Sequence, residues 1–268
     1  MKVFSTLQTF AEKHPWVFGL LGFLVAPVSL HLGLGDSTIV GAAIYRLIWT
    51  LAAILLMWPL FGCSYLQHPL KGWHAIMEMG KVIFITAIIL FLGTVAEVFL
   101  TGSPEVWKTE IWGYALLAVA VGFFEEITCR QGLFMGLKKQ FEGMPGGTLR
   151  AALIASFAFG ALHVIFQLSF TLSGVATALA KTLECAAFSL VLCGILVRSG
   201  NFFVPVLMHA VFDFASFSGM AAAPGQELGS YVVADFDGST LIVLGVHAFE
   251  ILILIPAMRR AIRVLKEN

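Results

Sequence analysis

Eight stretches of this chain are each nearly long enough, and apolar enough, to cross a bilayer as a helix, and little chain is left between them. They fall near 16–34, 41–63, 79–101, 110–137, 149–168, 172–197, 202–218 and 240–262. A spanning helix takes about 20 apolar residues, so crossings use up most of the 268 residues and no sizeable extramembrane domain fits. The fold expected is all-α: a single transmembrane domain over 1–268, with about eight helices around a buried polar site and a motif-bearing core at about 110–218. Composition closes the two other classes. Charged residues make up 12% of the chain, about half the share in soluble domains, which excludes a water-soluble globule. A hydrophobic share of 59% excludes a disordered chain.

Punctuation between the runs agrees with this division: Gly35-Asp36-Ser37, His68-Pro69, Gly102-Ser103-Pro104, Gly143 to Gly147, Ser199-Gly200-Asn201 and Pro224-Gly225. The weakest break is the one near 168–172. The first run has no small-x-small cleavage site and reads as a retained helix rather than a signal peptide. Cys63, Cys129, Cys185 and Cys193 lie in or beside apolar runs without C-x-x-C spacing, and read as small buried hydrophobes. With eight crossings, Lys2, Lys13, Lys71, Lys81, Lys138, Lys139, Arg150, Arg198, Arg259, Arg260, Arg263 and Lys266 fall on one side of the membrane and Lys108 alone on the other. Positive residues mark the cytoplasmic side, so both termini are expected there. The balanced chain with short termini reads as a protein of the prokaryotic inner membrane. Sixteen Lys/Arg against sixteen Asp/Glu leave no basic face for nucleic acid.

Ionisable residues inside the runs are costly and mark function by default. Lys181 and Glu184, three apart, read as a structural pair, Arg46 and Glu97 as a possible interhelical pair, and His247 and Glu250 share a helix face. The fourth run is different, because it carries two adjacent carboxylates and an arginine: Glu125, Glu126 and Arg130. Adjacent helical positions diverge by about 100°, so the two acids are expected to face different partners. Glu126 and Arg130, at i and i+4 with the acid first, suit an intrahelical ion pair. Glu125 is left for other work, such as that of a general base. The fifth run ends in Phe159-Gly160-Ala161-Leu162-His163, and the seventh sets His209 and Asp213 one turn apart. Glu125, His163, His209 and Asp213 are the groups needed to hold and deprotonate a water, or to ligate a divalent metal that does so.

These motifs in order, Glu-Glu-x-x-x-Arg, Phe-x-x-x-His and His-x-x-x-Asp, resemble those of the CAAX-processing and bacteriocin-processing (CPBP/Abi) intramembrane proteases, the type II CAAX prenyl endopeptidase family. The resemblance covers about 120–216. It implies an intramembrane endopeptidase open toward the cytoplasm, acting on a peptide bond of a membrane-associated or lipidated protein. Glu125 would be the catalytic glutamate and His163 its partner in activating water. His209 and Asp213 would stabilise the oxyanion, with Glu126, Arg130 and Phe159 in support. No cofactor is required by that reading, and a zinc-like ion, if present, would take Glu125, His163, His209 and Asp213. An ionised Asp213 would repel an oxyanion, so its role requires a proton, a bond that orients His209, or a metal. At 1.5 Å per residue, His209 lies about 10 Å into its helix and His163 about 20 Å, a mismatch that expects a tilted or late-starting fifth helix. The partners expected are peptide substrate and membrane lipid. Two other classes compete: a non-catalytic membrane scaffold or immunity protein, and a proton-coupled transporter, against which the absence of an inverted repeat weighs.

Overall fold

The computed structural model describes residues 2–32, 38–62, 64–66, 71–101, 104–222 and 232–268. Cys63 and the breaks at 35–37, 68–69, 102–103 and 224–225 lie outside the described residues. Among the described residues ten α-helices follow in chain order: α1 (Lys2–Lys13), α2 (Pro15–Leu32), α3 (Ile39–Phe61), α4 (Lys81–Thr101), α5 (Pro104–Glu125), α6 (Met135–Gln140), α7 (Gly147–Leu162), α8 (Leu172–Ser199), α9 (Phe203–Ser218) and α10 (Gly238–Glu267). No strand occurs among the described residues. A π-helical segment, Glu126–Phe134, joins α5 to α6 as one continuous rod, and a π turn, Ile76–Gly80, leads into α4. The eight apolar runs correspond to α2, α3, α4, the α5–α6 rod, α7, α8, α9 and α10. Six of these elements are long and apolar enough to cross a membrane, whereas α7 and α9 are shorter. The chain is an integral membrane protein.

The helices are layered around α8. Every residue from Glu184 to Leu196 on α8 is buried, between α7 on one side and α10 on another. Apolar side chains such as Ile48, Leu55, Ile89 and Leu252 point outward from α3, α4 and α10, as a lipid-facing surface requires. Lipid tails are as apolar as leucine, so close approach of small residues holds such helices together. A side chain at Gly19 of α2 would meet the carbonyl oxygen of Gly132 at 2.7 Å, and one at Gly136 would meet the Gly19 backbone at 2.9 Å. Gly160 of α7 is pressed against the Thr182 backbone of α8 in the same way.

Two boundaries differ from expectation and both matter for the site. The fifth run was expected to stay helical to 168, but α7 stops at Leu162 and the chain turns through 163–167. Thr171 then caps α8, its hydroxyl accepting from Gly174 N at 3.0 Å. α9, meanwhile, does not start at an open surface. Asn201 and Phe202 are each 1% exposed, the Asn201 amide donates to the Lys71 carbonyl, and the Tyr65 ring packs edge-on against Phe202. Tyr65 and Lys71 therefore cover the start of α9.

Candidate active site

The two adjacent carboxylates straddle a change of helix type: Glu125 is the last residue of α5 and Glu126 the first of the π segment. All nine residues of that segment are buried. The Thr128 hydroxyl donates to the carbonyls of Phe124 at 2.9 Å and Glu125 at 3.3 Å, serving oxygens at the junction where one hydrogen-bond ladder gives way to another. Isolated π turns of this kind recur at functional sites.

Glu126 is fully buried, and its Oε1 makes two contacts. It lies 3.1 Å from Arg130 Nη1, the expected i,i+4 pair, and it accepts from His209 Nδ1 at 2.7 Å. A carboxylate accepts, so Nδ1 carries the hydrogen and the opposite nitrogen, Nε2, is turned to the other side. There it meets Glu125 Oε2 at 3.4 Å and Asp213 Oδ2 at 3.7 Å. The adjacent acids thus face different atoms, as their angular separation demands, but the two atoms belong to one imidazole. The sequence reading had given them unrelated partners. Glu125 contacts the imidazole of His209, at 3.4 Å.

His163 is the first residue beyond α7. Its Nδ1 donates to the Phe159 carbonyl at 2.9 Å, one of the oxygens a helix end leaves without an amide, so Nε2 is the nitrogen turned away from the helix. Phe159 ties the parts together. Its ring lies 4.6 Å from the His163 ring and 6.0 Å from the His209 ring, and the Arg130 guanidinium sits over it at 4.3 Å. Asp213 has His209, Glu125, His163 and Lys181 as its electrostatic neighbours. Its buried Oδ2 and the buried Oε2 of Glu126 accept no hydrogen bond among the described residues. Glu125 and Asp213 keep 20% and 15% of their side-chain surface, against 4% for His209. All seven residues singled out in the sequence converge here.

Phe188 of α8 was not foreseen. Its ring packs edge-on against His209 at 5.3 Å; one phenylalanine among 24 carries no signal that sets it apart. The other interior charges divide. Lys181 and Glu184 pair at 2.7 Å as expected, and His247 Nδ1 lies 3.4 Å from Glu250 and 3.5 Å from Glu184, tying α8 to α10. Arg46 and Glu97 do not pair: Glu97 is exposed on α4, while Arg46 lies over the rings of Tyr45 and Phe124. Cys129, Cys185 and Cys193 are buried free thiols.

Among the described residues, three atoms able to ligate a metal lie within 4.8 Å of one another at Glu184, His247 and Glu250, and not at Glu125, His163, His209 and Asp213. The former group already has the Lys181 ammonium on Glu184.

Residues 107–215, from the start of α5 into α9, match the family model Rce1-like, described as type II CAAX prenyl endopeptidase Rce1-like. Over this segment the chain is similar to the type II CAAX prenyl endopeptidases that the model describes. No curated protein and no solved structure matches the chain.

Proposed function

We propose that this integral membrane protein, with its Rce1-like segment from α5 to α9, is an endopeptidase that hydrolyses a peptide bond of a lipidated or membrane-associated polypeptide. The observation that carries the reading is the clamp on His209, with Glu126 on Nδ1 and Glu125 on Nε2. A structural histidine needs one partner. Here both nitrogens are engaged by acids, and the second acid remains partly open to solvent.

Glu125 is the general base. It takes a proton from water as the water oxygen bonds to the scissile carbonyl carbon. His163, its ring fixed through Phe159, presents Nε2 to the same water. The carbonyl oxygen becomes negative and is met by Nε2–H of His209, which carries its second proton at that stage and is balanced by Glu126 on the far nitrogen. Asp213 orients Nε2 from the third side. When the C–N bond breaks, Glu125 returns its proton to the leaving amine, and no proton is left over. Arg130, beside Glu126 and stacked on Phe159, links the two imidazole-bearing parts of the site. The reaction draws on protein groups alone. The substrate enters between helices from the cytoplasmic side of a prokaryotic cell membrane, where the distribution of Lys and Arg also places both termini.

Glu125→Gln removes the base and keeps the shape. Cleavage of a lipidated reporter peptide by the purified variant should fall by roughly 10²–10⁴-fold with an unchanged unfolding midpoint. Wild-type turnover in this variant would refute the assignment. His209→Gln separates the reading from a scaffold, which would tolerate it.

A further inference from the structure

At the end of the bundle where α8 and α10 finish, three arginines face one volume. Arg198 in the last turn of α8, with Arg260 and Arg263 toward the end of α10, lines a pocket of about 160 Å³ together with Glu78, Val264, Glu267 and Asn268. The walls are fixed. Arg198 Nε donates to Glu78 Oε2 at 2.7 Å, and Arg260 Nη1 donates to the Glu78 carbonyl at 2.6 Å. Glu78 belongs to the π turn Ile76–Gly80, so three elements meet at one residue. Behind the pocket Ala261, Val264 and Leu265 are buried.

Basic residues in a last helical turn are expected from the helix dipole alone, and Arg259 and Lys266 need no other reason. The dipole does not explain guanidinia from two helices turned into one concavity. Nor does internal pairing account for them. Glu78 is already taken by Arg198, and Arg263 has no hydrogen bond or ion pair among the described residues.

We infer that this pocket holds the phosphodiester of an anionic phospholipid. A guanidinium is planar and matches phosphate oxygens two at a time, and basic pockets between membrane helices receive anionic headgroups. The location fits as well. The arginines stand where two spanning helices end, and the outward apolar side chains Phe249 and Leu252, further up α10, offer acyl chains a surface to lie along. The inference does not depend on the hydrolytic reading, since none of these residues belongs to the active site.

The test uses the full chain in nanodiscs of phosphatidylcholine, with and without phosphatidylglycerol. Retained lipid is counted by native mass spectrometry, and unfolding is followed by temperature. Wild type should retain a phosphatidylglycerol and unfold at higher temperature when it is present. R260Q/R263Q should retain it roughly tenfold less or weaker still and lose the shift. K139Q/R150Q, which removes the same charge from exposed positions outside the pocket, should behave as wild type. If the first double variant does not fold, R263Q alone supplies the comparison, because that side chain holds nothing else in place. Unchanged retention in R260Q/R263Q, equal loss in K139Q/R150Q, or the same stabilisation from inorganic phosphate in pure phosphatidylcholine would each overturn the lipid assignment.

Discussion

His209 is held from both ends, and the consequences at residue scale follow from which end is released. Glu126 shares one oxygen between His209 and Arg130, and all three groups are almost without solvent. Glu126→Gln leaves Arg130 as a buried charge without its counterion, and breaking such a pair by removing one partner costs about 3–5 kcal/mol. Thermal unfolding in one detergent should show that loss. Adding Arg130→Met should return much of the stability, since the orphaned charge is then gone, while peptide cleavage stays lost because His209 is no longer oriented. Recovery of both together would mean that Glu126 serves packing and not the histidine. The Glu126–Arg130 pair was legible in the sequence because i,i+4 spacing is a local property. The Glu126–His209 bond was not, because nothing along the chain records how α9 is rotated about its axis.

The elements differ in how much of them the sequence discloses. Long runs such as α3 and α8 are marked by hydropathy and closed by Thr38, Thr171 and Gly200, whose local chemistry can be read directly. The π segment Glu126–Phe134 has no such mark, and its position between α5 and α6 depends on burial against α2 and α7. The early end of α7 follows from a turn that Ser169 and Ser173-Gly174 announce only weakly. The charge cluster between α8 and α10 belongs to this scale. Glu184 is bonded by Lys181 and faced by His247, which also faces Glu250. Glu184→Gln should therefore lower the unfolding midpoint more than Lys181→Met, and K181M/E184Q should be no worse than Glu184→Gln alone, since the two residues share one interaction. Additive losses would show that Lys181 acts on something other than Glu184, its neighbour Asp213 being the first place to look.

For the whole molecule, the uneven distribution of Lys and Arg makes a topological prediction. A reporter joined in the 141–146 turn or after Asn268 should be active only in the cytoplasm, and one joined within 232–237 only outside it; activity of both on the same side would remove an odd number of crossings. That prediction and the all-α architecture come from the sequence by itself. Transfer of apolar residues into lipid is a sum over local stretches, and each stretch declares itself without reference to the others. The motifs were legible for a related reason, since a carboxylate or imidazole in lipid is conspicuous wherever it stands. Which groups share a proton was decided only by the tertiary structure. It depends on how α9 begins against Tyr65 and Lys71, on the change of pitch between Glu125 and Glu126, and on the close approach of α7 to α8 at Gly160. Those are relations between helices, set by packing that no single segment contains.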